Sequence, residues 1–305
     1  MKAASQPVRN ILAGLAIVVG LFMVIVAPII IQVSMERVVA SLIEVAKEKP
    51  AYGSGILLFS YTYPLYRGLI FIGGIALLLF ARPIAQGRAW TYPASLLAGA
   101  FPSAGGMFMF LPYVSWVDGF PIPMIISFVG LIYFWSAIFL RNVDKWEKWG
   151  HFVALTFAGM LTTHAFTVGI GNMRMLLTRP EKPLYAGLEW WILAWSGPVQ
   201  WISVILLFVA IYQLAAGKRS GWWLALVAAA SIFAIDAPTQ VIRSFIAKAD
   251  SLDYLYGMLL SGGLMLALFF PKFKLVELSR DEAASPAPLA EAGAEGVLAD
   301  APAVP

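Results

Sequence analysis

The hydrophobic pattern divides the chain into long apolar runs separated by short polar segments. A helix needs about 20 mainly apolar residues to cross a hydrocarbon core of about 30 Å. Eight runs reach that length: 10–34, 56–81, 90–112, 121–140, 151–173, 187–214, 221–242 and 252–271. They lack the polar–apolar alternation of membrane β-strands. The pattern therefore predicts an all-α integral membrane protein with about eight transmembrane helices.

Residues 35–50 depart from this uniform hydrophobicity. Apolar residues such as Val38 and Leu42 recur at helical spacing, with charged residues such as Glu36 and Lys47 between them. This pattern is typical of an amphipathic helix, which we expect to lie on the outer membrane surface. The alternative is a helical extension of the first span into water.

A short motif occurs twice, as EKPAYG at 48–53 and EKPLYA at 181–186, 133 positions apart. Further landmarks follow in the same order, at offsets of 132 to 136: Pro64 and Pro198, Trp90 and Trp222 or Trp223, Pro102 and Pro238, Asp118 and Asp253. A constant offset indicates an internal repeat. Each half has four runs, and an even number returns the chain to its starting side. The sequence thus predicts two parallel four-helix repeats, unless the two halves merely share similar loops.

This repeat divides the chain into consecutive parts. The first four-helix half is predicted over 1–140, with the amphipathic outer segment inside it, and the second over 150–274. A cytoplasmic linker, 141–149, joins them. The end of the chain is rich in Ala, Pro and Glu and cannot bury a core, which predicts a disordered cytoplasmic tail over 275–305.

Composition supports the membrane class and removes several kinds of chemistry. Hydrophobic residues make up 60% of the chain and charged residues 12%, whereas soluble domains average about 25% charged residues. The chain has no cysteine, which excludes disulfides, thiolate nucleophiles, iron–sulfur clusters and Cys-type zinc sites. The first run lacks a cleavage pattern and is too long for a signal peptide, so it is predicted to be a retained span.

The distribution of basic residues predicts the orientation. Alternate loops, starting from the N-terminus, carry twelve Lys and Arg residues, and the remaining loops carry eight. By the positive-inside rule both termini are cytoplasmic, in a multi-pass protein of the plasma (inner) membrane. The sequence has no stripe of basic and aromatic residues that would indicate nucleic-acid binding. The twelve are Lys2, Arg9, Arg82, Arg88, Arg141, Lys145, Lys148, Lys218, Arg219, Lys272, Lys274 and Arg280; the eight are Arg37, Lys47, Lys49, Arg174, Arg179, Lys182, Arg243 and Lys248.

Asp236 is a candidate because an ionisable group inside a span is costly and often functional. Pro238, two residues later, removes a backbone donor and frees a carbonyl one turn earlier. A carboxylate beside such a break can bind a proton, a cation or a polar ligand group. The alternative is a structural Asp that pairs with an arginine or caps a broken helix. Its approximate counterpart in the first half is Ala100.

Arg67 is the candidate cation of the first half. Tyr63 and Tyr66 lie beside it and would form an aromatic, hydrogen-bonding wall. Its alternatives are an arginine that extends to the membrane interface and a structural partner of Asp236. The matching position of the second half is Trp201, so this charge is not part of the repeat.

His164 can ligate haem, a pigment or a metal, or relay protons. His151, the other histidine, lies 13 residues earlier on the same predicted helix, about 20 Å away. A bis-histidine haem within one monomer is thereby excluded, and single-histidine ligation or a haem shared across a homodimer remains. The structural alternative is a histidine bonded to a threonine or a backbone carbonyl. No cofactor is firmly implied.

Gln200 follows Pro198 by two residues and is predicted to line the same region. Together with Arg67, His164 and Asp236 it falls at middle or outer depth, which predicts a polar pocket that opens outward between the halves. Glu189 precedes two tryptophans and is expected to be an ordinary solvated interfacial residue.

Three function classes follow. The favoured one is binding or transport of a small or lipid-like solute, with Arg67 and Asp236 binding or gating and His164 coupling protons. The second is a non-catalytic accessory subunit of a larger bioenergetic membrane complex. The third, an intramembrane redox enzyme using haem or quinone, has too few ligands, and no Walker A, HExxH, GxSxG or Rossmann motif occurs. Expected partners are the bilayer, other membrane subunits or a second copy.

Overall fold

The computed structural model describes residues 4–177, 187–247, 251–275 and 277. All regular structure in these ranges is helical, and no strand occurs in them. The long helices are α1 Gln6–Glu48, α2 Gly53–Ala85, α3 Thr91–Trp116, α4 Pro123–Phe139, α5 Lys145–Leu177, α6 Leu188–Ala215, α7 Arg219–Val241 and α8 Asp253–Phe269. The predicted all-α class is confirmed.

Six of these helices, α1, α2, α3, α5, α6 and α7, are long and apolar enough to cross a membrane. Helices α4 and α8 are also apolar, but each has only 17 residues. Length and hydropathy therefore support a multi-pass membrane protein with six helices of spanning length. The predicted number of eight spans depends on whether the two shorter helices also cross.

Helix α1 is one continuous element of 43 residues, with a π-helical turn at Phe22–Val26. At 1.5 Å per residue it is about 64 Å long, about twice the thickness of a hydrocarbon core. Its final turns contain most of the segment 35–50, where Val38 and Leu42 are buried in a cluster with Tyr113. The amphipathic segment is thus a direct continuation of the first helix.

The eight helices pack as two similar groups. In the first, each helix contacts the next along the chain from α1 to α4, and α4 also contacts α1. In the second, α5, α6, α7 and α8 contact one another in the same cyclic order. The groups meet mainly where α3 packs against α5 and α6. The second copy of the repeated motif, 181–186, and nearly all of the predicted tail 275–305 lie outside the described residues.

The prolines from which the sequence predicts a repeat lie inside helices. Pro64 lies inside α2 and Pro198 inside α6, while Pro102 lies inside α3 and Pro238 inside α7. Helix α5 begins at Lys145, so the second part of the predicted linker 141–149 is helical.

Candidate functional site

Three of the predicted site residues meet inside the second helix group. Asp236 on α7 and Gln200 on α6 are both completely buried, and Gln200 Nε2 donates a hydrogen bond of 2.5 Å to Asp236 Oδ1. His164 reaches the same place from α5. We call Asp236, Gln200 and His164 the acid–imidazole cluster.

Helix α8 closes this cluster through Gly257. A methyl group at Gly257 would overlap Asp236 Oδ2 and would lie 2.9 Å from His164 Nε2. Both atoms therefore point at Gly257, and they come this close to α8 because it carries no side chain at this position. Neither atom has a hydrogen-bond partner among the described residues, and Gln200 Oε1 is also unpartnered there.

The cluster lies close to the start of α8. Asp253, the first residue of α8, is exposed, and Gly257 follows four residues later, a rise of about 6 Å. The backbone of Asp253 is hydrogen-bonded to the His164 ring, and the Asp253 side chain interacts electrostatically with it. Only about one helical turn separates the acid–imidazole cluster from the exposed end of the helix.

A second polar network joins the same helices. Tyr254 Oη on α8 donates to Asn172 Oδ1 on α5 at 2.5 Å, and Asn172 Nδ2 donates to Ser196 Oγ on α6 at 3.0 Å. Sequence reasoning missed these residues and the role of Gly257. Asn172 offered a signal, because a polar amide inside an apolar span needs a partner.

The end of the second group at which α8 begins is held by an ion pair. Arg243, in the π-helical turn that follows α7, lies 3.6 Å from the Glu189 carboxylate on α6. The two side chains are only 15% and 23% exposed, and the guanidinium also lies over the Tyr254 ring. Glu189 is therefore a half-buried ion-pair partner and not the solvated interfacial residue that the sequence predicts.

Arg67 lies apart from the acid–imidazole cluster. Its Nη1 donates to Gln32 Oε1 on α1 at 3.0 Å, and Gln32 Nε2 donates to Glu36 Oε1 at 2.7 Å. The arginine thus belongs to a polar chain in the first helix group. The interpretation of Arg67 as the structural partner of Asp236 does not match this geometry.

Tyr63 and Tyr66 are buried aromatic residues of the first group. Tyr63 Oη donates to the Met109 carbonyl at 3.3 Å. The Tyr66 ring stacks on Phe108 at 5.2 Å and contacts the Phe166 ring edge-on at 4.9 Å. Because Phe166 lies on α5, Tyr66 packs at the junction of the two groups. Among the described residues, these contacts do not join either tyrosine to Asp236, Gln200 or His164.

The surroundings of His164 do not fit a haem or a pigment. An axial ligand needs its nitrogen clear of protein, whereas His164 Nε2 is completely buried and would lie only 2.9 Å from a methyl group at Gly257. His151 lies on the same helix, and its Nδ1 is hydrogen-bonded to the Glu147 carbonyl at 3.0 Å. Among the described residues, no three His, Cys, Asp or Glu side chains form a group suited to a metal ion.

The cluster is rich in acceptors within an apolar core. A buried carboxylate is costly unless it is paired or neutralised, and within the ranges given above Asp236 has no ion-pair partner. Its free oxygen can take a proton or a donor group of a ligand.

Family models, curated proteins and solved structures were compared with the chain, and none of them matches.

Proposed function

We propose that this chain is an eight-span membrane protein that binds and transports a small polar or lipid-like solute at the acid–imidazole cluster. The proposal differs from the sequence-based one in the location of the site. The cluster lies inside the second helix group, so Arg67 and the junction between the groups are not part of it. The observation that carries the proposal is the unpartnered Asp236 Oδ2, completely buried and facing His164 Nε2.

An unmade hydrogen bond at a buried polar atom costs about 1–3 kcal/mol, and more for a charged group. Three such atoms in one place would lower the stability of a cluster that had only a structural role. They are expected in a site whose ligand completes the hydrogen bonds. The short distance between Gly257 and the exposed start of α8 supports access from the end of the protein where α8 begins.

The proposed architecture consists of two parallel four-helix repeats with cytoplasmic termini in the plasma membrane. Several features support it: the identical cyclic packing of the two groups, the interior prolines at matching helices, and the equal length of α4 and α8. Seventeen residues lie at the lower limit of transmembrane helices, which is about 17.

We expect solute binding to depend on the Asp236 carboxyl group. In detergent micelles, the melting temperature of the purified protein should rise with at least one member of a panel of amines, amino acids, alcohols and fatty acids. A ligand at 100 times its Kd stabilises by about 2.7 kcal/mol, which shifts melting by several degrees. Asp236→Asn should abolish the shift, because the carboxylate acceptor is lost.

Asp118→Asn is the matched control, since Asp118 is exposed in the α3–α4 connection and undergoes the same chemical change. It should respond to the panel like the wild type. A shift that survives in a folded Asp236→Asn protein would remove Asp236 from the site. Copurification of a stoichiometric membrane subunit from native membranes would instead favour the accessory-subunit class.

The orientation can be tested with single cysteines, because the chain has none of its own. Lys49, between α1 and α2, and Gln86, between α2 and α3, are both exposed. A membrane-impermeant maleimide added to intact cells should label Lys49→Cys and leave Gln86→Cys unlabelled until the cells are lysed. The reverse pattern would show that both termini are extracytoplasmic.

A further inference from the structure

The charges and donors around the acid–imidazole cluster identify the class of ligand that fits it, given the proposed solute-binding function. Asp236 Oδ2 and Gln200 Oε1 are oxygen acceptors without donors. Gln200 Nε2 already donates to Asp236 Oδ1. The histidine ring has at most one N–H when neutral, and it lies beside the Asp253 backbone. The unfilled positions are therefore acceptors, and a complementary ligand must supply N–H or O–H donors.

The charged groups that face the cluster give it a net negative charge. Asp236 lies within it, and Asp253 interacts with His164 from the start of α8. Tyr254 interacts electrostatically with Asp236 and with Arg243, but Arg243 is already paired with Glu189. No lysine or arginine forms an ion pair with Asp236 within the described ranges. A cation would supply the missing charge.

Metal cations and quaternary amines fit this site poorly. Hard metal ions such as Ca²⁺ take about six to eight oxygen ligands, and no suitable group of acidic side chains and histidines occurs in the described residues. A quaternary ammonium has no N–H to offer and is recognised by aromatic faces. A protonated amine has several N–H donors, which can reach a carboxylate oxygen, an amide oxygen and an imidazole nitrogen together.

When no amine is bound, a proton can complete the hydrogen bonding of Asp236 Oδ2 and His164 Nε2. Protonation of Asp236 Oδ2 removes the buried charge and creates an O–H that can donate to His164 Nε2, which points at the same glycine, Gly257. Binding of a protonated amine restores the carboxylate, so this proton must leave to solvent. One positive charge enters and one leaves, which keeps the buried site neutral in both states.

We propose that the acid–imidazole cluster is an exchange site for a proton and an ammonium-type cation, either ammonium itself or a protonated primary amine. The Asp236 carboxylate receives the cation, and Gln200 and His164 accept its remaining N–H groups. The exchange converts the Asp236 carboxyl group to a carboxylate and breaks no other covalent bond.

The test uses the full-length protein in detergent, in weakly buffered solution near neutral pH with a pH-indicator dye. Methylammonium chloride is the probe, and tetramethylammonium chloride and sodium chloride are matched salts. The expected result is the saturable release of about one proton per protein with methylammonium and none with the other two. Asp236→Asn should release none, and Asp118→Asn should behave like the wild type.

The comparison of probes on the wild type needs no variant, so it remains decisive if Asp236→Asn does not fold. Equal release with tetramethylammonium or sodium would overturn the amine assignment. Stabilisation by methylammonium without proton release would overturn the exchange. If methylammonium has no effect while an uncharged solute stabilises the protein through Asp236, the amine proposal fails and the broader binding function stands. If no solute acts through Asp236, both fail.

Discussion

Gly257→Ala is expected to destabilise the protein and to abolish solute binding at the acid–imidazole cluster. The new methyl group would overlap Asp236 Oδ2 and approach His164 Nε2, so either α8 moves away or the carboxyl group leaves its position. Overpacking of a buried site costs about 1–3 kcal/mol, and displacement of a buried carboxyl group from its hydrogen bond adds to this. The melting temperature in detergent measures the first effect, and the solute panel measures the second.

Gly262→Ala provides the control on the same helix. Its nearest neighbour would be Phe233 Cε2 at 4.0 Å, an ordinary van der Waals contact. Both substitutions gain the same helix propensity, about 1 kcal/mol in favour of alanine. Gly262→Ala should therefore melt at or above the wild-type temperature. Equal melting and equal binding of the two variants would show that α8 does not press against the Asp236 carboxyl group.

Gln200→Leu is expected to lower stability by about 1–3 kcal/mol. The amide is the donor that Asp236 Oδ1 contacts at 2.5 Å, and leucine leaves this completely buried carboxyl oxygen without a partner. Reversible unfolding in mixed micelles measures the loss. The double variant Gln200→Leu/Asp236→Leu should recover part of it, because removal of both polar partners leaves no unmet hydrogen bond.

Gln86→Leu controls for the loss of a glutamine, since Gln86 lies exposed after α2. Its stability should remain within about 0.5 kcal/mol of the wild type. If the double variant were as unstable as the sum of the two single variants, the amide and the carboxyl group would not be coupled. The structural assignment of the Gln200–Asp236 pair would then be wrong.

The two helix groups differ in what they bury, although they pack in the same order. Tyr66 and Gln200 each lie two residues after an interior proline, and in the predicted repeat Ala100 is the approximate counterpart of Asp236. In the first group, the buried Tyr66 ring stacks on Phe108 and meets Phe166 of α5 edge-on. In the second group the interior holds the acid–imidazole cluster. Mutational tests of the proposed function are therefore directed to α5–α8.

Candidate residues were identifiable from the sequence because their polarity conflicts with their position. Asp236, Gln200 and His164 stand in apolar runs, where an ionisable or amide side chain is costly. The same reasoning selected Arg67, which is placed elsewhere and bonded to Gln32. Position along a span predicts depth in the membrane, but it does not predict which neighbouring helix a side chain faces.

The sequence by itself determined the class of this protein, since long apolar runs in lipid leave the backbone no alternative to helices. It also located the long helices, although α1 continues well beyond the predicted end of the first run, to Glu48. Only the tertiary structure decided which polar residues meet. That choice depends on the rotation of each helix about its axis and on the absence of a side chain at Gly257, which lets α8 approach Asp236 and His164. These properties arise from packing between distant segments, so no local pattern encodes them.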